Sequence, residues 1–177
     1  VSLMKTAQRI QNAARASKPV ATHKPIRPTG KPGAPLRWVT TVPGKIPAGA
    51  LPGGDERGKR LYICRANHKN GLHPGKLYRS KCNIGWGGKE VPVAKYRVLS
   101  GDPKLISWVS VRGGILPGNA LAGGRERGKP LYVCRARHKQ GVHPGKVYRG
   151  KCYIGWGGKE VPIAAFQVLT KKGTASN

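Results

Sequence analysis

An internal repeat constrains this chain of 177 residues more than any other feature. Shifting the sequence by 70 residues aligns residues 38–100 with 108–170, and 40 of the 63 aligned positions are identical. Each repeat is small for an independent hydrophobic core, and the linker at residues 100–104 is short. We therefore expect the two repeats to share one core or to exchange strands, related by a pseudo-twofold axis.

Short strands and turns are predicted within each repeat. In the first repeat, β-branched and aromatic residues concentrate in 38–42, 61–66, 76–79, 81–84 and 96–99, with glycine, proline or basic residues between them. Prolines at positions 43, 47, 52, 74 and 92 exclude long helices from the repeat. The predicted fold class is therefore all-β, with no helix longer than about three turns outside residues 3–16.

The N-terminal segment differs from the repeats, which we place at 37–104 and 105–170, with a basic tail at 171–177. Within this arm, residues 1–36, Leu3, Ala7, Ile10 and Ala14 have helical spacing and predict a short amphipathic helix. Five prolines then predict an extended stretch over 18–36. The arm contains no acidic residue and resembles an organelle transit peptide, which favours an organelle or other intracellular assembly; a solvated tail is the alternative.

The net charge predicts an anionic partner. The chain has 34 lysines and arginines against 6 acidic residues, a net charge of +28, and such a surface repels itself unless a polyanion neutralises it. The leading hypothesis is a non-catalytic structural component of a larger assembly, with RNA as the leading partner. An anionic filament, mineral or sulfated-glycan matrix fits the composition as well. The candidate polyanion-binding residues are Lys5, Arg9, Arg15, Lys18, Lys24, Arg27, Lys31, Lys171 and Lys172.

Four cysteines occupy equivalent positions in the repeats, Cys64 and Cys82 in the first and Cys134 and Cys152 in the second. Histidines lie between the two cysteines of each repeat, and thiolates with imidazoles are ligands that zinc prefers. The spacing matches no standard zinc pattern, so a disulfide within each repeat and buried free thiols are the alternatives.

Enzymatic function is not predicted. A glycine-rich segment at 53–59 has the spacing of a phosphate-binding loop, but Arg60 follows where a magnesium-binding Ser or Thr is required. No catalytic group of residues stands out, and we predict neither a cofactor nor a membrane span. Trp86 and Trp156 lie among glycines, either as stacking platforms or as core residues, and Glu90 and Glu160 are expected in ion pairs.

The order of motifs within each repeat resembles the DM-nine repeat family. These motifs are Trp-Val, Pro-x-x-Ala, Gly-Gly-x-x-x-Gly, Leu-Tyr-x-Cys-Arg-Ala, Pro-Gly-Lys, Gly-Gly-Lys-Glu and a final Val-Leu. The resemblance covers both repeats but not the arm. It implies two all-β repeats packed as a sandwich, as in natterin-like proteins and in secreted invertebrate lectins that bind mannose and dimerise.

The resemblance also implies sugar-binding residues. In such lectins an acid in the Gly-Gly loop and the lysine of Pro-Gly-Lys bind sugar hydroxyl groups. These positions match Asp55 and Lys76 in this sequence. In the second repeat Lys146 is present but Arg125 replaces the acid. A mannose-type lectin, with a homodimer as its expected assembly, is therefore the alternative to RNA binding.

Overall fold

The computed structural model describes residues 30–173, and this part of the chain forms fourteen β-strands and a single 3₁₀ turn, Pro103–Leu105. No helix in this range is long and apolar enough to cross a membrane. The all-β prediction is confirmed, while the predicted helix within residues 3–16 lies outside the described residues. The first seven strands are β1 (Arg37–Thr40), β2 (Pro52–Glu56), β3 (Lys59–His68), β4 (Gly71–Tyr78), β5 (Lys81–Trp86), β6 (Lys89–Val93) and β7 (Arg97–Ser100). The last seven are β8 (Ile106–Val111), β9 (Ala122–Glu126), β10 (Lys129–His138), β11 (Gly141–Tyr148), β12 (Lys151–Trp156), β13 (Lys159–Ile163) and β14 (Phe166–Lys171).

Two-residue turns connect the strands from β2 to β6. Lys69 and Asn70, between β3 and β4, have φ values of 47° and 59°, and Gly87 and Gly88, between β5 and β6, have 61° and 80°. Two successive positive φ angles define the turn whose twist matches that of an antiparallel hairpin. The glycines of the Gly-Trp-Gly-Gly motif therefore serve a tight turn, which presents the preceding tryptophan at the end of its strand.

The strands of both repeats join in one sheet that closes on itself. Within each repeat the central strands form an antiparallel meander, and three pairings connect the repeats: β2 with β11, β4 with β9, and β6 with β13. Val142 lies opposite Asp55 in the first junction, and Leu72 lies opposite Arg125 in the second. These pairs are equivalent after the 70-residue shift, as a twofold relation requires.

Close backbone contact at these junctions requires glycine. A Cβ atom built on Gly54 would overlap the carbonyl of Val142, and one built on Gly124 would overlap the carbonyl of Leu72. The Gly-Gly segments are therefore strands β2 and β9, and not the loops that their composition indicates. They attach each repeat to the other.

The buried apolar residues form three clusters, which lie on both faces of the sheet because successive residues such as Ile63 and Cys64 belong to different clusters. One belongs to each repeat and contains its pair of cysteines. The third is shared, because it combines Leu51, Ile63 and Leu99 with Leu121, Val133 and Leu169. The prediction that the repeats share a core is confirmed, although each also keeps a smaller core of its own.

The end of the predicted arm contacts the linker between the repeats. The backbone N–H of Gly33 donates to the Asp102 carboxylate at 2.7 Å, and the Asp102 N–H donates to the carbonyl of Ala34 at 2.9 Å. The backbone N–H of Lys104 also donates to this carboxylate, at 2.9 Å. The two bonds that the carboxylate accepts, from Gly33 and Lys104, hold its pKa below the ordinary value. Residues 33 and 34 of the predicted arm are thus bonded to the linker between the repeats.

Candidate functional site at the repeat interface

Two equivalent pockets lie where the repeats meet. The first, with a volume of about 410 Å³, is lined by Glu56, Lys76, Tyr78 and Glu90 of the first repeat and by Trp156 of the second. The second, of about 260 Å³, has the counterparts of all five: Glu126, Lys146, Tyr148, Glu160 and Trp86. Each pocket therefore needs residues from both repeats.

The strand order explains how these side chains converge. Glu56 ends β2, Lys76 lies on β4 and Glu90 lies on β6. The pairing of β6 with β13 at Lys89 and Lys159 brings the turn after Trp156 against the first repeat, and the N–H of Glu90 donates to the carbonyl of Gly158 at 3.0 Å. The pocket is thus made by three strands and a turn.

A buried lysine lines each pocket. Lys76 is only 2% exposed, and its Nζ is 3.1 Å from Nδ1 of His143. The same contact links Lys146 to His73 at 3.0 Å. Nε2 of His143 lies 3.2 Å from the carbonyl of His138, so this nitrogen carries the proton and Nδ1 accepts from the ammonium.

Burial sets the protonation states of this network. Burial, reinforced by the neighbouring Lys76, lowers the pKa of His143 to about 4, so the imidazole is neutral near pH 7. Burial also lowers the pKa of Lys76, while the carboxylates of Glu90 and Glu56 raise it. The neutral histidine is therefore an acceptor that holds the ammonium in place.

Glu90 and Glu160 form the expected ion pairs. Their partners are Lys76 and Lys146, and not the lysines that precede them in sequence. Oε2 of Glu90 lies 3.7 Å from Nζ of Lys76, and Oε2 of Glu160 lies 3.9 Å from Nζ of Lys146. At this distance the Glu90 oxygen is buried without a hydrogen bond among the described residues. Burial raises the pKa of this carboxyl, and Lys76 opposes that rise.

The tryptophans join the two repeats through their indole N–H groups. Trp156 donates to Oε1 of Glu56 at 2.9 Å, and Trp86 donates to Oε1 of Glu126 at 3.2 Å. The ring of His138 meets Trp156 edge to face, with centroids 5.1 Å apart. Both indoles are half-buried. Each indole lines a pocket and is held by one hydrogen bond. Each tryptophan therefore combines features of the stacking platform and of the core residue that were the two alternatives from sequence.

The structure separates two residues that the family resemblance brings together. Lys76 lines the first pocket, but Asp55 lines a different and larger cavity, whereas its neighbour Glu56 lines the pocket with Lys76. Successive residues of a strand point to opposite faces, which accounts for the separation. Arg125, the counterpart of Asp55, is exposed and donates to the carbonyl of Gly128 at 3.3 Å.

The cysteines form disulfides, Cys64 with Cys82 and Cys134 with Cys152. The zinc alternative and the free-thiol alternative are both wrong for the described residues, in which no group of three or more potential ligands is arranged for a metal. The histidines of the proposed zinc set serve the interface instead. The disulfides close equivalent loops in the two repeats and cross-link each small core.

The candidate polyanion-binding residues fall mostly outside the structure. Lys31, Lys171 and Lys172 are exposed, and Lys171 is the last residue of β14 and not the first of a tail. The others lie outside residues 30–173: Lys5, Arg9, Arg15, Lys18, Lys24 and Arg27. Glu56 was not singled out as a site residue from sequence, and His73 and His143 were considered only as zinc ligands, although Glu56 and His73 are identical to their counterparts Glu126 and His143.

The DM9 repeat family model matches residues 30–81, 55–163 and 127–176. The chain belongs to the DM9 repeat family. A comparison with curated protein sequences finds no match. Among solved structures, the chain is similar to the crystal structure of the nematode sperm cell motility protein MFP2B, with 13% sequence identity and a TM-score of 0.61. The match covers 93% of this chain and 52% of that chain, so this DM9 protein spans about half the length of its structural neighbour.

Proposed function

We propose that this protein is a non-catalytic lectin that binds mannose-type sugars at two equivalent sites between its repeats. The observation that carries the proposal is the convergence of Glu56, Glu90, Lys76 and Trp156 on one pocket. Carboxylates accept hydrogen bonds from sugar hydroxyls and an ammonium donates to them. The indole adds an apolar surface for the C–H face of a pyranose ring.

Preorganisation of the lysine supports the proposal. Lys76 is buried, and His143 and Glu90 hold its ammonium on two sides. Ordering a free lysine on binding costs about 0.5–1.5 kcal/mol, and here folding has already ordered the side chain. A weak, hydroxyl-rich ligand benefits from such a rigid site.

Family membership and the disulfides favour carbohydrate binding over RNA binding. The DM-nine resemblance implies mannose recognition, and disulfides persist chiefly in oxidising compartments, which favours a secreted protein over an intracellular assembly. RNA binding stays a prediction from the net charge of +28. Homodimerisation likewise stays a prediction from the family resemblance.

The proposal is tested by titrating a mannose oligosaccharide into the wild type, the double variant E56Q/E126Q and the matched control D55N. Glutamine keeps the size of glutamate and an oxygen that accepts from the indole N–H, but it removes the charge. Because hydrogen bonds to charged groups are about twice as strong as neutral ones, we expect the double variant to bind at least about tenfold more weakly. D55N should bind within about twofold of wild type.

Two results would contradict the proposal. A loss of binding in D55N with no loss in E56Q/E126Q would move the sugar to the site implied by resemblance. No sugar binding at all, combined with RNA binding that weakens steeply with salt, would favour the polyanion hypothesis.

A further inference from the structure

A larger cavity, of about 820 Å³, lies apart from the interface pockets and shares no lining residue with them. It is bordered by β2 of the first repeat and by β8, β10, β11, β13 and β14 of the second. Its size falls within the range of small-molecule sites.

The lining combines an apolar floor with a basic rim. Val111, Ala136 and Phe166 are buried, whereas Arg112 and Arg137 are exposed at the border. Such a combination accommodates a ligand that has an apolar face and an anionic substituent.

Arg135 is the fixed charge of the cavity. Its Nε donates to Oε1 of Gln167 at 2.7 Å, and its guanidinium carbon lies 4.3 Å from the ring centroid of Trp108. Burial and the charge of Arg137 lower the pKa of Arg135 to about 10, so it remains charged at neutral pH. A stacked, hydrogen-bonded guanidinium is ordered before any ligand arrives.

The charge in this cavity is unbalanced. Three arginines line it, and Asp55 is the single acid among the lining residues. Guanidinium groups bind carboxylate and sulfate oxygens in paired hydrogen bonds, and an anion here would relieve the repulsion between the arginines.

The lining of this cavity differs from the equivalent surface of the other half of the molecule. Ten of its thirteen lining residues differ from their counterparts 70 positions away, although 40 of 63 aligned positions are identical overall. Five of these differences change the charge, namely Arg112 against Val42, Arg137 against Asn67, Asp55 against Arg125, Ala165 against Lys95 and Gln167 against Arg97. The equivalent positions of the other half carry Lys95, Arg97 and Arg125 and lack counterparts of Arg112 and Arg137, so their basic residues are arranged differently.

We propose that this cavity is a second, independent binding site for an acidic saccharide. The carboxylate or sulfate group of the sugar binds Arg112, Arg135 and Arg137, and the C–H face of the ring packs on the floor formed by Val111 and Phe166. A carboxylate such as Asp55 suits hydroxyl groups and disfavours the dense phosphates of RNA, so a saccharide fits better than a nucleic acid.

The test uses residues that the other repeat already carries at equivalent positions. The variant R112V/R137N replaces both rim arginines with the counterparts found in the first repeat, and its matched control, K81Q/K151Q, removes two exposed charges that line none of the cavities described above. The probes are a sulfated heparin disaccharide and a glucuronate-containing disaccharide without sulfate, at about 0.15 M salt to screen exposed charges. We expect R112V/R137N to bind the preferred disaccharide at least about tenfold more weakly, and K81Q/K151Q to bind it within about twofold of wild type.

Further arms separate this site from the interface pockets and from RNA. The variant E56Q/E126Q should bind the acidic disaccharide as the wild type does, whatever its effect on mannose binding. A failure of the mannose proposal can therefore be distinguished from a failure of this one. If R112V/R137N and K81Q/K151Q lost equal affinity for the disaccharide, the binding would depend on the net charge of the protein and not on this cavity, and the inference would be overturned. Tighter binding of a short single-stranded RNA than of either disaccharide, lost in R112V/R137N, would overturn the saccharide assignment.

Discussion

The interface pockets and the large cavity differ in how closely their lining residues follow the internal repeat. The seven residues that line both interface pockets at equivalent positions are identical, whereas ten of the thirteen residues that line the large cavity differ from their counterparts. At the interface each repeat completes the pocket of the other, as in the bonds from Trp156 to Glu56 and from Trp86 to Glu126. The comparison indicates that the two interface pockets are duplicated, whereas the lining of the large cavity differs between the repeats.

The largest effect should come from breaking the junctions that build the interface pockets. In G54A or G124A the new methyl group meets a backbone carbonyl of the opposite repeat, which only a strand shift can relieve. We expect each variant to lose about 3 kcal/mol of unfolding free energy in urea denaturation, by similar amounts because the junctions are equivalent. A loss below about 1 kcal/mol in either variant would show that the junction is not tightly packed.

A smaller effect should follow from the buried histidine of the first interface pocket, which faces Lys76, Glu56 and His138. His143 titrates near 4 in the folded chain and near 6.5 when unfolded. Because the unfolded state binds more protons between these values, stability from this group is complete above pH 6.5 and falls as the pH drops towards 4. From about pH 7 to about pH 5 the loss is about 2 kcal/mol.

The comparison with H143Q isolates this contribution. The raised pKa values of Glu90 and Glu160 act in the opposite direction in both proteins. The wild type should therefore lose about 2 kcal/mol more than H143Q over that pH interval in urea unfolding. Parallel pH profiles would mean that the imidazole is not buried as described.

The smallest effect on stability should come from the rim of the large cavity. Arg112 and Arg137 are exposed, so R112V/R137N should change the unfolding free energy by less than about 0.5 kcal/mol. Thermal or urea unfolding measures this directly. A loss of more than about 2 kcal/mol of unfolding free energy would show that Arg112 and Arg137 stabilise the fold and are not free to bind a ligand.

Much of the fold follows from local sequence rules. Proline spacing excluded helices, and residues such as Trp38 and Tyr62 mark strands by composition. Strands β2 and β6 were missed because glycine in Pro52–Glu56 and proline in Lys89–Val93 disfavour strands locally, whereas contacts with the other repeat stabilise them here. The closure of the sheet depends on long-range pairing, which local propensity does not encode.

The site was predictable only in part, for a similar reason. Lys76 and Lys146 follow from the family resemblance, and the structure places them in the linings of the two interface pockets. The choice between Asp55 and Glu56 depends on which face of β2 meets β11, and that register is set by the junction at Gly54. Lys76 and His143, which are in contact, are 67 residues apart in sequence, so no local motif predicts this contact.

The most direct test of the two-site account is the stoichiometry of mannose binding by isothermal titration calorimetry. The wild type should bind two sugars per chain, and the single variants E56Q and E126Q should each bind one with unchanged affinity at the remaining pocket. Because each pocket draws its glutamate and lysine from one repeat and its tryptophan from the other, each variant removes one pocket alone. One sugar per wild-type chain, or two sugars per chain in both single variants, would contradict the account.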